Sequence, residues 1–112
     1  MIRLGKPVQI MEWGQGTNTT NQRWTEIAKG RFASKPKVVN GETTLVIEIE
    51  GSLTRNGETG NDYVKLMQQG EGTLPAAGSW GEVAMGTIGS PSNQGGKTVV
   101  EVKVKTATKF SN

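Results

Sequence analysis

Cysteine and histidine are both missing from this 112-residue chain. Without cysteine there is no disulfide framework, no thiolate nucleophile and no thiolate metal site. Without histidine, the usual general base at neutral pH and the commonest metal ligand are gone as well. Apolar residues make up only 33% of the sequence and aromatic residues 5%, enough for one thin core. The expectation is a single domain over residues 1–112, with stability borrowed from association. No apolar run approaches the roughly 20 residues of a membrane helix, and the opening MIRLGKPVQIMEW has no signal-peptide h-region. A cytoplasmic site of synthesis and no membrane partner are expected.

What the chain does have is glycine, at 16 positions, and a patterned charge. Residues 1–39 carry a net +5, residues 40–96 a net −5 and residues 97–112 a net +3. A basic–acidic–basic order suits copies that dock head to tail, or a basic face turned toward nucleic acid. It also suits an ordinary solvated surface.

The apolar residues repeat every second position. In KTVVEVKVKTATKF, Val100, Val102, Val104, Thr106, Thr108 and Phe110 share one parity, while Glu101, Lys103, Lys105 and Lys109 share the other. That pattern predicts one long strand with a buried and a wet face. In TTLVIEIEGSL, Leu45, Ile47, Ile49 and Leu53 oppose Glu48 and Glu50, and Gly51 marks a bend. RWTEIAKGRFAS reads as a strand with a register change near Ala28–Gly30, and PVQIMEW as one that changes phase between Ile10 and Met11. DYVKLMQ (62–68) and WGEVAMGTI (80–88) complete the set, and no stretch has a 3.6-residue apolar period. The fold class predicted is all-β: a small β-barrel or β-sandwich of about six mostly antiparallel strands with Gly-rich loops.

Asn-Gly-Glu-Thr occurs twice, at 40–43 and 56–59, but the flanking residues do not match. Asn-Gly is the pair that accepts positive φ at both central positions of a type I′ turn. The two copies therefore read as hairpin turns, and no duplicated structural unit is expected from them. Longer polar loops span 14–22 and 89–96, where binding residues tend to sit.

No motif names a reaction. GQGTNT and GEGTLPAAG lack the spacing and the strand-to-helix setting of a phosphate-binding P-loop. Glu48 and Glu50, roughly 7 Å apart on one strand face, resemble the paired carboxylates of glycosidases only in spacing. Two glutamates on a wet strand face are ordinarily its solvated side. Asn18-Thr19-Thr20 fits the N-glycosylation pattern, and with no secretory signal read in the opening residues a chance match is expected. No cofactor, metal or catalytic residue is expected.

Residues 2–36 are similar to small tailed-phage head–tail joining (head-completion) proteins. The similarity rests on RLGKPVQI, the polar loop GQGTNTTNQ and the Trp-led RWTEIAKGRFASKP, and residues 75–112 lie outside it. Phage capsid-cement (decoration) proteins share the size and the Gly/Thr/Asn-rich β character. The resemblance implies a non-enzymatic virion protein, made in the host cytoplasm, whose partners are other virion proteins and copies of itself. Arg3, Lys6, Gln15, Thr17, Asn18, Asn93 and Gln94 are the expected assembly contacts. The alternative is an OB-like barrel binding single-stranded nucleic acid, with Arg23, Arg31, Lys103 and Lys105 on the phosphates and Trp13 or Trp80 stacking on bases. Those residues must then converge on one face.

Overall fold

The computed structural model describes residues 1–15, 22–54, 63–72, 78–106 and 108–112, and the side chains of all of these but 13–15, 22 and 23. In chain order the strands are β1 (Ile2–Arg3), β2 (Val8–Gln15), β3 (Gln22–Phe32), β4 (Lys37–Val39), β5 (Glu42–Glu50), β6 (Tyr63–Gln69), β7 (Trp80–Ile88), β8 (Ser92–Gln94), β9 (Lys97–Val104) and β10 (Phe110–Ser111). The six long ones are the six read from the sequence. They pair in the order β5-β3-β2-β6-β7-β9, and a further β5–β9 pairing closes the ring. The result is a six-stranded antiparallel barrel. Alternation turns Val8, Ile10, Leu45, Ile47, Val64, Leu66, Val100 and Val102 inward, where they are buried. Each such side chain contributes roughly 1.5–3 kcal/mol of burial.

Three features differ from the sequence reading. First, β2 keeps one phase from Val8 to Glu12, so Glu12, not Met11, is the buried residue. The bulge lies on its partner: Ile10 pairs with Ala28 but Met11 with Glu26, leaving Ile27 as the extra residue of β3. Second, the terminal strand ends at Val104. Thr43, fully buried at the barrel end, receives the Thr108 N–H and donates to the Thr106 carbonyl, each at 2.9 Å. This clamp bends the chain, and Phe110–Ser111 then pairs in parallel with β1. Third, the segment 89–96 is not one long loop. It contains β8 and a two-residue turn at Gly95–Gly96, both with positive φ. The first Asn-Gly is the turn expected, with Asn40 at φ 52° and Gly41 at 77° joining β4 to β5. The second copy lies outside the described residues.

The barrel is built from two like halves. β2-β3-β5 and β6-β7-β9 are each a three-stranded meander, with short β4 and β8 in the same place in each. Counterparts lie half the chain apart: Val8 and Val64, Ile10 and Leu66, Met11 and Met67, Trp24 and Trp80, Ala28 and Ala84, Gly30 and Gly86. The β7 bulge falls at Val83, the counterpart of Ile27. After Lys35, which has no partner, the spacing shortens by one: Pro36 matches Pro91, Thr43 matches Thr98, and Val46 matches Glu101. Two backbone bonds repeat as well, Ala33 N–H to Val46 O (2.9 Å) and Gly89 N–H to Glu101 O (2.8 Å). Ile10 pairs with Leu66 and Val46 with Glu101, so a pseudo-dyad passes between each of these pairs. A duplicated unit is present after all, at half the chain length, and the Asn-Gly-Glu-Thr text does not mark it.

Candidate functional site

The outer surface carries both paired and unpaired charges. Beside β3 and β5 three basic residues are matched, while Lys35 and Lys37 at β4 are exposed and have no ion-pair partner among the described residues. Lys29 lies 3.7 Å from Glu26, Arg31 3.2 Å from Glu50, and Lys97, reaching across from β9, 3.5 Å from Glu48. Lys65 of β6 meets Glu82 at 3.6 Å and sits 4.3 Å over the Trp24 ring. Glu48 and Glu50 are therefore outward-facing members of ion pairs, and neither lines any of the clefts described below.

Arg3 and Lys6, expected to reach onto a neighbour, are engaged within their own chain. Both contact the Glu71 carboxylate, at 3.1 and 3.3 Å. Partial burial raises the Glu71 pKa, but the Lys6 ammonium and then the Arg3 guanidinium outweigh it, and the carboxyl titrates below its ordinary range. The backbone of the same segment is held by Gln68, which is fully buried. Its Oε1 accepts the Arg3 N–H at 2.9 Å, and its Nε2 donates to the carbonyls of Arg3 (2.7 Å) and Lys6 (3.2 Å). Gln68 thus acts as a strand edge would, and no charge pattern could reveal it.

The second half departs from the first where β7 meets β9. In the first half, β3 and β5 stay paired from Phe32–Ile47 to Lys29–Glu50. In the second, β7 and β9 pair only at Ile88–Val102 and Thr87–Lys103. The two pairs that would follow, Gly86–Val104 and Met85–Lys105, do not form, because Thr43 draws the chain after Val104 across the barrel end. The strands separate and leave a groove of about 650 Å³. Tyr63, Met85 and Thr87 line it on one side, and Lys103, Lys105 and Lys109 on the other. Lys103, Lys105 and Lys109 are exposed and have no ion-pair partner among the described residues. Tyr63 is 48% exposed.

The remaining candidates are dispersed. Asn93 and Gln94 lie exposed on β8, where Asn93 Oδ1 accepts the Gly96 N–H at 3.1 Å and so supports the turn. Trp80 begins β7 and lines a separate cleft of about 450 Å³ with Lys6, Pro7 and Gln69. Seven residues separate it from Thr87, roughly 20 Å along a strand. Arg31 is held by Glu50 on the other meander. Thr17 and Asn18 lie outside the described residues, as do the side chains of Trp13, Gln15 and Arg23. Of the nucleic-acid set, Lys103 and Lys105 alone come together among the described side chains, joined by Lys109 from the same basic ladder. Tyr63 and Met85 could not be assigned from sequence, because their place depends on where the β7–β9 pairing stops. Among the described residues no three Asp or Glu cluster to hold a metal ion.

Compared with known proteins, the chain matches no family model, no curated protein and no solved structure.

Proposed function

We propose that the protein is a non-catalytic docking module of a phage-like particle, which engages neighbouring copies or another virion protein through the β7–β9 groove. The observation that carries this reading is the contrast in charge pairing. Lys29, Arg31 and Lys97 beside β3 and β5 are matched within the chain, whereas Lys103, Lys105 and Lys109 have no ion-pair partner and border a cleft with no carboxylate among the described residues. Unpaired like charges at one place cost stability and favour an acidic surface that would neutralise them. The resemblance of residues 2–36 to head–tail joining proteins points the same way.

Light scattering at rising protein concentration, in about 50 mM and about 500 mM salt, tests it. Docking between copies predicts a mass above the 12.0 kDa monomer that falls with salt and with K103E/K105E. A monomer under every condition, unaffected by these substitutions, overturns docking between copies.

A second reading has its own observation. Three lysines beside a half-exposed tyrosine ring are the elements of a single-strand binder, a cationic track with a stacking surface. Anisotropy of a labelled single-stranded oligonucleotide at about 50 and about 200 mM salt decides it. Tight binding lost steeply with salt supports it, because released counterions dominate such affinities. Absence of binding at both salts overturns it.

A further inference from the structure

We infer that the gap between β7 and the chain after β9 is a strand-addition site, which accepts an extended acidic segment of a partner polypeptide. The inference rests on the docking reading and specifies how the groove is used.

The first half shows what such a place looks like when it is filled. Beside the β3 edge, β5 continues to Glu50, and Ser52–Thr54 follows. There Leu53 packs against the core, and the Thr54 N–H donates to the carbonyl of the bulged Ile27 at 2.8 Å. The counterpart edge is β7 from Val83 to Gly86. Its neighbour β9 has left after Lys103, and no backbone bond beyond the strand ladder reaches Val83 among the described residues. Val83, Ala84, Met85 and Gly86 all line the groove. The opening therefore presents a strand edge where the other half has a completed wall. A strand edge binds extended polypeptide through its backbone, with alternate side chains giving specificity.

Charge selects the occupant. At the filled site the outward residues of the following strand are Glu48 and Glu50, balanced by Lys97 and Arg31. Their counterparts at the open site are Lys103 and Lys105, and the position matching Arg31 is Thr87. A strand laid between β7 and the β9 tail would direct alternate side chains toward that lysine row. Glutamate or aspartate there would be neutralised, and lysine or arginine repelled.

A labelled peptide of residues 43–54, TTLVIEIEGSLT, serves as the probe, because it forms a strand beside the equivalent edge in the first half. Fluorescence anisotropy should show saturable binding, weakened at least tenfold by K103E/K105E in the protein. A peptide with lysine in place of both glutamates should not bind. A third peptide, N-methylated at alternate backbone nitrogens, keeps the charges but cannot complete a ladder, and it too should lose at least tenfold. Hydrogen exchange should show new protection at residues 83–86 when the first peptide binds. If the N-methylated peptide binds as well as the parent, or no protection appears, the lysines recognise negative charge alone and strand addition is wrong. If the parent peptide does not bind although the chain self-associates through its lysines, this inference fails and the docking reading stands. If the chain neither binds peptide nor associates but holds the oligonucleotide, both fail.

Discussion

The two meanders share strand order, bulge position and turn geometry, yet one is sealed where its last two strands meet while the other opens there beside a row of unpaired lysines. The divergence begins at one point. β5 runs on past Glu48 against β3, whereas β9 leaves β7 after Lys103. What redirects it is Thr43, a residue of the first half that clamps the tail of the second. Duplicated scaffolding thus supplies stability twice, and a few residues at the seam free one copy's edge for another use. The comparison yields predictions that either break the likeness of the halves or sharpen their difference.

The largest effect is expected at the glycines where strands cross most closely. A Cβ at Gly30 would strike the Glu48 carbonyl oxygen, and one at Gly86 would strike the Lys103 carbonyl oxygen, both rigid backbone atoms. The neighbours do not yield equally. β5 is held against β3 by two further pairs beyond Glu48, while beyond Lys103 β9 has no pairing to β7 and only Val104 still paired to β5. Gly30→Ala should therefore cost about 3 kcal/mol and Gly86→Ala about 1–2 kcal/mol, within the usual range for overpacking. Urea unfolding measures both, and equal losses would show that the β9 tail is as rigid as β5.

Next come the clamps at the barrel ends. Gln68→Leu keeps the volume but removes the acceptor of the Arg3 N–H and the donor to the Arg3 and Lys6 carbonyls, and of these the Arg3 carbonyl keeps its bond from the Lys6 N–H. About 2–3 kcal/mol should be lost. Thr43→Val should cost about 1–2 kcal/mol through its two hydrogen bonds. It should also release Thr106–Thr108, seen as faster amide exchange at Thr108 with exchange in β5 unchanged. If Thr108 remains protected, Thr43 is not what opens the groove.

How much of this was readable beforehand follows from the kind of interaction involved. Six strands were legible because Val100-x-Val102-x-Val104 and Leu45-x-Ile47-x-Ile49 write burial directly as alternation. The first hairpin was legible because Asn40-Gly41 has few other uses. The bulge was seen but misplaced onto β2 as well, since Met11 and Trp13 read as apolar whichever way they point. The duplication was missed because its signal is spread over small matches such as Trp24/Trp80 and Gly30/Gly86, with no long identical stretch. The groove was half legible. Lys103, Lys105 and Lys109 stood out as a ladder, but where β9 detaches depends on a threonine sixty-odd positions away. Arg3 and Lys6 looked free only because Glu71 is equally distant in sequence.

Acid should loosen the N-terminal segment before the barrel. Lys6 and Arg3 hold the folded-state pKa of Glu71 below its unfolded value. The folded chain then binds fewer protons there, and the pair's stabilisation is complete above the ordinary carboxylate range. It fades as pH falls through the lowered folded-state pKa. Amide exchange at Leu4 should accelerate over that interval in the parent protein and show no such step in Glu71→Gln. An identical step in both would assign it to another carboxylate.

The smallest expected change in stability is also the one that separates scaffold from surface. Thr87→Arg with Lys105→Glu would copy onto the open half the Arg31–Glu50 pair of the sealed half, because these positions are counterparts. An exposed pair of this kind alters stability by about 0.5 kcal/mol or less, so the unfolding midpoint should hardly move. The lysine row would nevertheless lose its middle charge, and salt-sensitive association should weaken. If association is undiminished in this variant, the working surface lies elsewhere on the barrel. If stability instead drops by several kcal/mol, the halves are not equivalent at these positions, and the pseudo-dyad does not extend to the outer face.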